Sequence, residues 1–403
     1  MTTTGHEPLL ERANRLLATS PLIDGHNDLP YALRERVGLR IDEVDLRQRV
    51  DGLDTDLPRL REGRVGGQFW SVWVPPELPE GSALAMALEQ IDLVRRLADS
   101  YPEALRLAAT ADEVDAAFAD GRIASMMGME GGSMIASSLP VLRQVHAAGV
   151  RYLTLTHWRT TRWADAATDA PRHGGLSPFG VEVVREMNRL GMLVDLSHVA
   201  PSTMAAALDA SVAPVIFSHS GARAIADHPR NVPDEILRRL PENGGVVMAV
   251  FLSGFVSADG GHRFREEEAA EAAWHADHPD ATRDGARAWR TAWRDAHPSP
   301  TADLGQVADH IDHLRRVAGV DHVGLGSDFD GGDPLPVGLE DVSRLPRLVA
   351  ELLRRGYSDD DVRKIAGGNI LRAMRRAEAV AARLQAERPP SAATIEELDG
   401  AGA

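Results

Sequence analysis

The sequence predicts an α/β fold, a (β/α)8 barrel of the TIM type, and three features lead to that prediction. Eight short apolar runs have the continuous hydrophobic character of parallel strands that are buried on both faces. Helix-like segments separate most of these runs, which is the alternation of a parallel α/β fold. Polar residues lie at the carboxyl ends of the runs, where (β/α)8 barrels carry their functional groups.

Several of the eight predicted strands begin with glycine or proline. They cover residues 21–28, 66–74, 122–131, 151–157, 191–198, 214–220, 245–252 and 322–328. Helical patterns between them occupy residues 82–100, 138–149, 177–190 and 201–211. A doubly wound open sheet is the alternative arrangement, but the polar strand ends favour the barrel.

The length of 403 residues, 43% of them hydrophobic, suffices for one large domain. We expect a single barrel domain over residues 1–385. A charged, Ala-rich stretch predicts a helical insertion at about residues 257–310, and residues 386–403 form a C-terminal tail rich in Ala, Pro and Gly.

Composition excludes several classes of partner and site. The 44 basic and 60 acidic residues give a net charge of −16, which argues against nucleic acid and anionic membranes as partners. The chain has no cysteine, so a metal ion would be held by histidines and carboxylates. The first twenty residues lack the apolar core of a signal peptide, and no run approaches the ~18 apolar residues of a membrane span. The expected location is therefore the cytoplasm.

Five residues at the ends of the apolar runs are candidate metal ligands. His26 and Asp28 are two residues apart on the first predicted strand and would point the same way. Glu130, His198 and His219 end three other runs. The alternative is a purely structural role, in which the histidines are hydrogen-bonded core residues and the carboxylate caps a helix. Five ligands together suit two metal ions that share a bridging carboxylate and a bridging hydroxide.

Strand parity predicts where the side chains of His198 and His219 point. His198 has the parity of Val194 and Leu196, and His219 has that of Val215. Both are therefore expected to project from the same face as core-lining residues, at the tips of neighbouring strands.

Three aspartates are assigned lesser roles. Asp328 ends the eighth run, which barrel closure places beside the first, so it is expected to carry protons without being needed as a ligand. Asp24 lies one layer below His26 and is a candidate for supporting the ligands. Asp330 is expected to be a loop residue.

Nine sequence blocks in one order closely resemble the membrane (renal) dipeptidase family and its bacterial members, peptidase family M19, whose fold is an amidohydrolase-type barrel. They run from about residue 21 to 375 and read LIDGHNDLP, MEGGSMIASSLPVLRQ, GVRYLTLTH, GLSPFG, LVDLSHV, APVIFSHS, RNVPDE, DHVGLGSDFDG and GGNILR. The resemblance implies a zinc-dependent dipeptidase with two Zn²⁺ ions per chain and small dipeptides as substrates, L-Xaa-D-Xaa dipeptides included.

The resemblance also implies a role for each residue of the motifs. His26 and Asp28 would hold one zinc ion, His198 and His219 the other, and Glu130 would bridge them. A hydroxide between the two ions would attack the scissile carbonyl.

Three further residues have roles by resemblance. His157 would bind the carbonyl oxygen as it becomes an oxyanion, and Arg230 would pair with the substrate carboxylate. Asp328 would take the proton of the water and pass it to the leaving amine.

Two segments depart from the family pattern. Residues 158–162 read Trp-Arg-Thr-Thr-Arg and residues 249–252 read Ala-Val-Phe-Leu, where the mammalian enzymes have more Asn, Pro and Tyr. Both should wall the substrate pocket, so the side-chain preference is open. The alternatives are another binuclear amidohydrolase, such as a deaminase or phosphotriesterase, and a non-catalytic binding barrel. The sequence leaves open whether the chain is a homodimer.

Overall fold

A computed structural model describes residues 8–298, 300–332 and 334–400, apart from the side chains of residues 283, 284 and 287. Within these residues, nine parallel strands form one sheet. They are β1 Leu22–Asn27, β2 Val65–Trp73, β3 Leu105–Leu107, β4 Ile123–Glu130, β5 Val150–Thr154, β6 Leu193–Asp195, β7 Val215–Phe217, β8 Val246–Ala249 and β9 Val323–Leu325.

The sheet closes into an eight-stranded barrel. The strand order is β2-β1-β9-β8-β7-β6-β5-β4, and β2 pairs with β4 to complete the ring. β3 lies outside the ring: it pairs with β4 at residues 123–125, whereas β5 pairs with β4 from residue 127 onwards. The predicted (β/α)8 barrel is confirmed, and each predicted run overlaps one of its eight strands.

Helices surround the barrel. Their bounds are α1 Leu9–Leu17, α2 Leu29–Val37, α3 Leu57–Glu62, α4 Glu80–Ser100, α5 Ala111–Ala119, α6 Leu139–Ala147, α7 Pro178–Leu190, α8 Pro201–Ala210, α9 Asp234–Leu237, α10 Leu240–Asn243, α11 Ser253–Val256, α12 Ala258–Asp277, α13 Arg283–Ala296, α14 Leu304–Ala318, α15 Leu345–Arg354, α16 Asp359–Arg363, α17 Asn369–Glu387 and α18 Ile395–Asp399. No helix in the described part of the chain combines the length and apolar character needed to cross a membrane.

Local sequence sets the ends of the connecting helices. The Ser177 hydroxyl accepts a hydrogen bond from Gly180 N at 3.2 Å, and a proline follows at the first helical position of α7. Gly191 ends the same helix at φ +77°, a conformation that glycine adopts without strain. The four predicted helical segments correspond to α4, α6, α7 and α8.

The segment between β8 and β9 includes two long helices, α12 and α13. They contact each other through the stacked rings of Trp274 and Trp289, whose centroids are 5.7 Å apart. At the C-terminus, Asp399 of α18 accepts hydrogen bonds from the Ser177 hydroxyl at 2.6 Å and from Phe179 N at 2.9 Å. Residues after 386 thus include a short helix fixed to the start of α7.

The barrel interior is lined by a different set of positions from its outer face. Phe69 of β2 and Tyr152 of β5 have ring centroids 5.2 Å apart, although β4 lies between their strands, so both point inwards. Val194, Leu196 and Val215 instead belong to the larger cluster that includes residues of the surrounding helices. The alternation of side chains along a strand therefore makes Leu193 and Asp195 the inward positions of β6.

Candidate metal centre and active site

The proposed ligand residues lie at the carboxyl end of the barrel. His26 is near the end of β1, Asp28 precedes the first residue of α2, and Glu130 ends β4. His198 and His219 follow β6 and β7 rather than lying within them. All five side chains are buried, with no residue more than 7% exposed.

Strand parity does not explain the positions of His198 and His219. Residues of their parity, such as Val194 and Val215, face the surrounding helices. His198 reaches the centre because β6 has already ended and its own backbone adopts φ +68°. An irregular turn, and not strand alternation, brings this imidazole inwards.

Glu130 lies between two halves of the site: one contains His26, and the other contains His198 and His219. Its Oε1 atom is 2.9 Å from His198 Nε2 and 3.2 Å from His219 Nε2, while Oε2 is 3.4 Å from His26 Nε2. Burial alone would raise the pKa of this carboxyl group, but the surrounding histidines hold that pKa well below its usual value. The carboxylate is therefore ionised, with one oxygen facing each half.

His219 presents an unprotonated nitrogen to the centre. The Ser218 hydroxyl donates to Asp195 Oδ2 at 2.6 Å, so it accepts from His219 Nδ1, which is 2.8 Å away. The Nδ1 atom thus carries the proton and Nε2 carries a lone pair. Burial keeps the pKa of both His198 and His219 well below the usual value, so both imidazoles are neutral.

His26 is held in the same way by a different partner. Tyr152 Oη donates to Gly25 O at 3.2 Å and lies 2.7 Å from His26 Nδ1. His26 Nε2 is buried, lies 3.2 Å from Asp28 Oδ2 and makes no hydrogen bond of acceptable geometry. Burial lowers the pKa of His26, but the neighbouring Tyr152, Glu130 and Asp28 raise it well above the usual value. The carboxylates therefore favour a positive charge at this point.

These donors are suited to metal binding. Three groups of potential ligands have their atoms within 4.8 Å of one another: His26 with Glu130 and His219, Glu130 with His157 and His198, and His26 with Asp28 and Asp328. Imidazole nitrogens and carboxylate oxygens suit zinc and related divalent ions. Two of the groups share Glu130, as a bridging ligand requires.

His157 directs an N–H group into the site. Trp73 Nε1 donates to His157 Nδ1 at 3.3 Å, so the imidazole proton is on Nε2. Burial lowers the pKa of His157 to about 4, and the ring is neutral at neutral pH. Its Nε2 atom is 3.8 Å from Glu130 Oε1, so the donor faces the proposed metal centre.

Asp328 faces the His26 half of the site. Its Oδ1 atom is 4.0 Å from His26 Nε2, and its backbone is left-handed at φ +67°. Burial, with the charges of Asp28 and Glu130, raises the pKa of Asp328 to about 8. A side chain at Gly331 would place Cβ within 2.4 Å of Asp28 Oδ2 and 2.5 Å of Asp328 Oδ1, so glycine leaves room for both carboxylates.

Arg230 is a buried cation with unused hydrogen-bond donors. The residue is 1% exposed; its Nη2 donates to His219 O at 3.2 Å, while Nε and Nη1 have no partner. Burial lowers its pKa to about 10, so it stays charged at neutral pH. Buried guanidinium donors without partners are suited to an anionic ligand.

Asp24 and Asp330 support the backbone of the site. Asp24 accepts hydrogen bonds from Ser327 N at 2.7 Å and Ser327 Oγ at 2.6 Å, and its contact to His26 is to the backbone N at 3.5 Å. Asp330 lies in a turn and exchanges backbone-to-carboxylate hydrogen bonds with Asp54, each 2.8 Å long.

Sequence reasoning missed the residues that orient the imidazoles. They are Trp73, Tyr152, Asp195 and Ser218. A polar residue such as Asp195 within the apolar run LVDLSH, or Ser218 beside His219, was a visible signal. Tyr152 and Trp73 look like ordinary strand aromatics, and only the closed barrel brings them to the histidines.

Comparison with known protein families matches residues 10–388 to the membrane dipeptidase family (Peptidase family M19). A solved dipeptidase described as dipeptidase AC, a metallopeptidase of family M19, is 28% identical, with a TM-score of 0.73 over 89% of this chain and 99% of that one. A metallopeptidase from Rhodobacter sphaeroides, liganded with a phosphinate mimic of the dipeptide L-Ala-D-Ala, is 26% identical, with a TM-score of 0.72 over 89% of this chain and 99% of that one.

The probable dipeptidase PvdM from Pseudomonas aeruginosa has a TM-score of 0.79 at 24% identity, over 93% of this chain and 99% of that one, and shows the shared fold. The family match covers nearly the whole chain. The chain belongs to the membrane dipeptidase family, peptidase family M19, and is a metallodipeptidase.

Proposed function

We propose that this metallodipeptidase uses two zinc ions to hydrolyse the peptide bond of dipeptides, L-Xaa-D-Xaa dipeptides included. The main observation behind the proposal is the position of Glu130, whose two oxygens face different histidines at 2.9–3.4 Å. A carboxylate between two such groups is suited to bridge a pair of ions. Family membership favours peptide hydrolysis over deamination or phosphotriester hydrolysis on the same kind of barrel.

In this proposal His26, Asp28 and Glu130 would hold one ion, and Glu130, His198 and His219 would hold the other. Histidine nitrogen and carboxylate oxygen are the donors that zinc takes where cysteine is lacking. When bound, the two ions supply Lewis-acid chemistry, which lowers the pKa of water towards neutrality and polarises a carbonyl group.

His157 stabilises the charge that develops on the scissile carbonyl oxygen. Its Nε2–H faces the centre because Trp73 occupies the opposite nitrogen. A neutral donor fixed in advance in a buried site costs little reorganisation when the oxyanion forms.

Asp328 handles the proton. Its buried carboxyl group has a raised pKa and lies close to the His26 half of the site. In its ionised form it is placed to take a proton from the attacking water, and it can then deliver that proton to the leaving amine.

Arg230 limits the length of the substrate. Its unpartnered Nε and Nη1 atoms can pair with a free carboxylate, which a dipeptide presents one residue beyond the scissile bond. A longer peptide would place an uncharged amide at this position and leave the buried guanidinium unpaired.

Cleavage of L-Xaa-D-Xaa dipeptides is supported by the Rhodobacter sphaeroides relative, whose ligand mimics L-Ala-D-Ala. The test is turnover of a panel of L,L- and L,D-dipeptides by the zinc-reconstituted protein. We expect L,D-dipeptides to be cleaved at least comparably to L,L ones, and strict L,L selectivity would contradict this. A homodimer and a cytoplasmic location stay predictions.

A further inference from the structure

We infer that Phe264, on the helix α12 between β8 and β9, is a specificity-determining residue that forms part of an apolar wall for the carboxyl-terminal side chain of the dipeptide. The inference rests on the proposed dipeptidase function. The proposed function does not specify which class of C-terminal side chain the enzyme prefers, and Phe264 would determine that preference.

An unbroken series of rings connects the reaction centre with the carboxylate-binding arginine. Trp158 is in edge contact with His157 and His198, at centroid distances of 5.6 and 5.5 Å. The Phe264 ring lies nearly parallel to that of Trp158, at 6.5 Å and an interplanar angle of 22°. Phe264 therefore continues the aromatic surface away from the proposed oxyanion donor.

The series then continues to Arg230. The His228 ring is 4.6 Å from both Phe264 and Phe255, and the Arg230 guanidinium lies 5.3 Å above the Phe255 ring. A dipeptide with its scissile carbonyl at His157 and its carboxylate at Arg230 has its C-terminal residue between these two points. The side chain of that residue consequently lies along Trp158, Phe264 and Phe255, which we call the aromatic wall.

Close backbone packing fixes the position of α12. A Cβ atom on Gly260 would come within 1.9 Å of Gly254 O, and one on Gly261 within 2.0 Å of Asp227 O, so only glycine allows the helix to approach this closely. Asp227 immediately precedes His228. The start of α12 is thus packed against the segment that carries Arg230, and Phe264 is one helical turn further on.

The aromatic wall favours apolar substrates. The wall residues are half-buried, and Phe264 has rings on two sides, so an apolar side chain placed there would lose contact with water. His228, the polar member of the series, is neutral, because burial lowers its pKa to about 3. The wall residues themselves are uncharged, and the cation beside them is the Arg230 guanidinium that is assigned to the free carboxylate.

The test compares kcat/KM for L-Ala-Phe, in both configurations of the Phe residue, with kcat/KM for L-Ala-Gly. We expect the wild-type protein to have a higher kcat/KM for the better of the two Phe dipeptides than for L-Ala-Gly. In Phe264→Ala the Phe-to-Gly ratio should fall about 10- to 100-fold, the range expected for losing apolar contacts with one side chain. Phe264→Leu, which keeps an apolar group at the position, should give an intermediate ratio.

Trp289→Ala is the matched control. Trp289 is an aromatic residue of the neighbouring α13 that contacts Trp274 and Trp293 and no member of the aromatic wall. We expect this variant to keep the wild-type ratio. An unchanged ratio in Phe264→Ala, or an equal fall in Trp289→Ala, would overturn the inference.

Failure of the proposed function gives a different result. If the zinc-loaded wild-type protein cleaves neither Phe nor Gly dipeptides, the dipeptidase proposal itself is contradicted. If it cleaves dipeptides but prefers L-Ala-Gly, only the aromatic-wall inference is contradicted.

Discussion

The Nε2 atoms of His198 and His219 lie 3.0 Å apart in the centre of the site. His219 cannot donate across this gap, because its proton is held on Nδ1 by Ser218. Two neutral imidazoles facing each other at this distance, with Glu130 Oε1 within 3.2 Å of both, form a set of donors that suits a cation. This relationship leads to the first two predictions.

The bridging role proposed for Glu130 predicts coupled metal loss. Glu130→Gln removes the anionic charge that lies between the two halves of the site, so both ions should bind more weakly. Elemental analysis after dialysis against a weak chelator should show the two occupancies falling together. Loss of one ion with full retention of the other would contradict the bridge.

The Ser218 hydroxyl is expected to tune metal binding through His219. Ser218→Ala removes the acceptor that keeps the proton on Nδ1, and metal affinity should fall about 10- to 100-fold, as is typical when a partner of a metal-bound histidine is lost. Chelator-competition titration measures this directly.

Ser220→Ala provides the matched control. The Ser220 hydroxyl pairs with Ser197 Oγ at 3.1 Å and has no hydrogen bond to an imidazole among the described residues. Its removal should change metal affinity much less. Equal effects of the two substitutions would show that the hydrogen bond to His219 is unimportant.

Arg230 is expected to distinguish a free carboxylate from an amide. Arg230→Met should lower kcat/KM for a free dipeptide about 30- to 1,000-fold, which corresponds to roughly 2–4 kcal/mol for an unpaired buried carboxylate. The same dipeptide with an amidated C-terminus should lose far less. Equal losses on both substrates would mean that Arg230 supports the fold or the metal ligands.

A buried histidine outside the metal centre makes stability depend on pH. His310 is fully buried; Ala222 N donates to its Nδ1 at 2.9 Å, its Nε2 donates to Val256 O at 3.0 Å, and burial lowers its pKa to about 4 from 6.5. As the pH falls through 6.5, His310 thus becomes protonated in the unfolded chain but stays neutral in the folded chain. His310 therefore loses about 2 kcal/mol of its contribution to stability between pH 7.5 and 5.

The variant His310→Gln isolates this effect. It should be less stable than the wild type at pH 7.5, and the difference in the free energy of unfolding should shrink towards pH 5. Urea unfolding of both proteins at several pH values measures that difference. A difference that is independent of pH would show that His310 is not held neutral by the fold.

Sequence alone was sufficient to predict the barrel, because each of its eight buried parallel strands corresponds to an apolar run in the sequence. The ends of these strands could not be predicted in the same way. The runs continue to residues 198, 220, 252 and 328, whereas β6, β7, β8 and β9 end at Asp195, Phe217, Ala249 and Leu325. Apolar character continues into buried loops at the mouth of the barrel, where hydrogen bonds no longer follow the sheet.

The chemistry lies in those irregular segments. His198 and Asp328 both have positive φ, which strand parity does not anticipate. Tyr152, which orients His26, is 126 residues away from it in the chain, and the two meet only when the barrel closes. β3 was also missed, because its sequence, Leu-Arg-Leu, is interrupted by a charged residue and is not part of a continuous apolar run.

In the proposed mechanism, two zinc ions bound around Glu130 support dipeptide hydrolysis. Its most direct test is stepwise addition of Zn²⁺ to the metal-free protein while bound zinc and hydrolysis of L-Ala-D-Ala are followed together. We expect saturation at about two ions per chain, with full activity only when both are bound. Full activity at one ion per chain, or no hydrolysis of any dipeptide at two, would contradict the account.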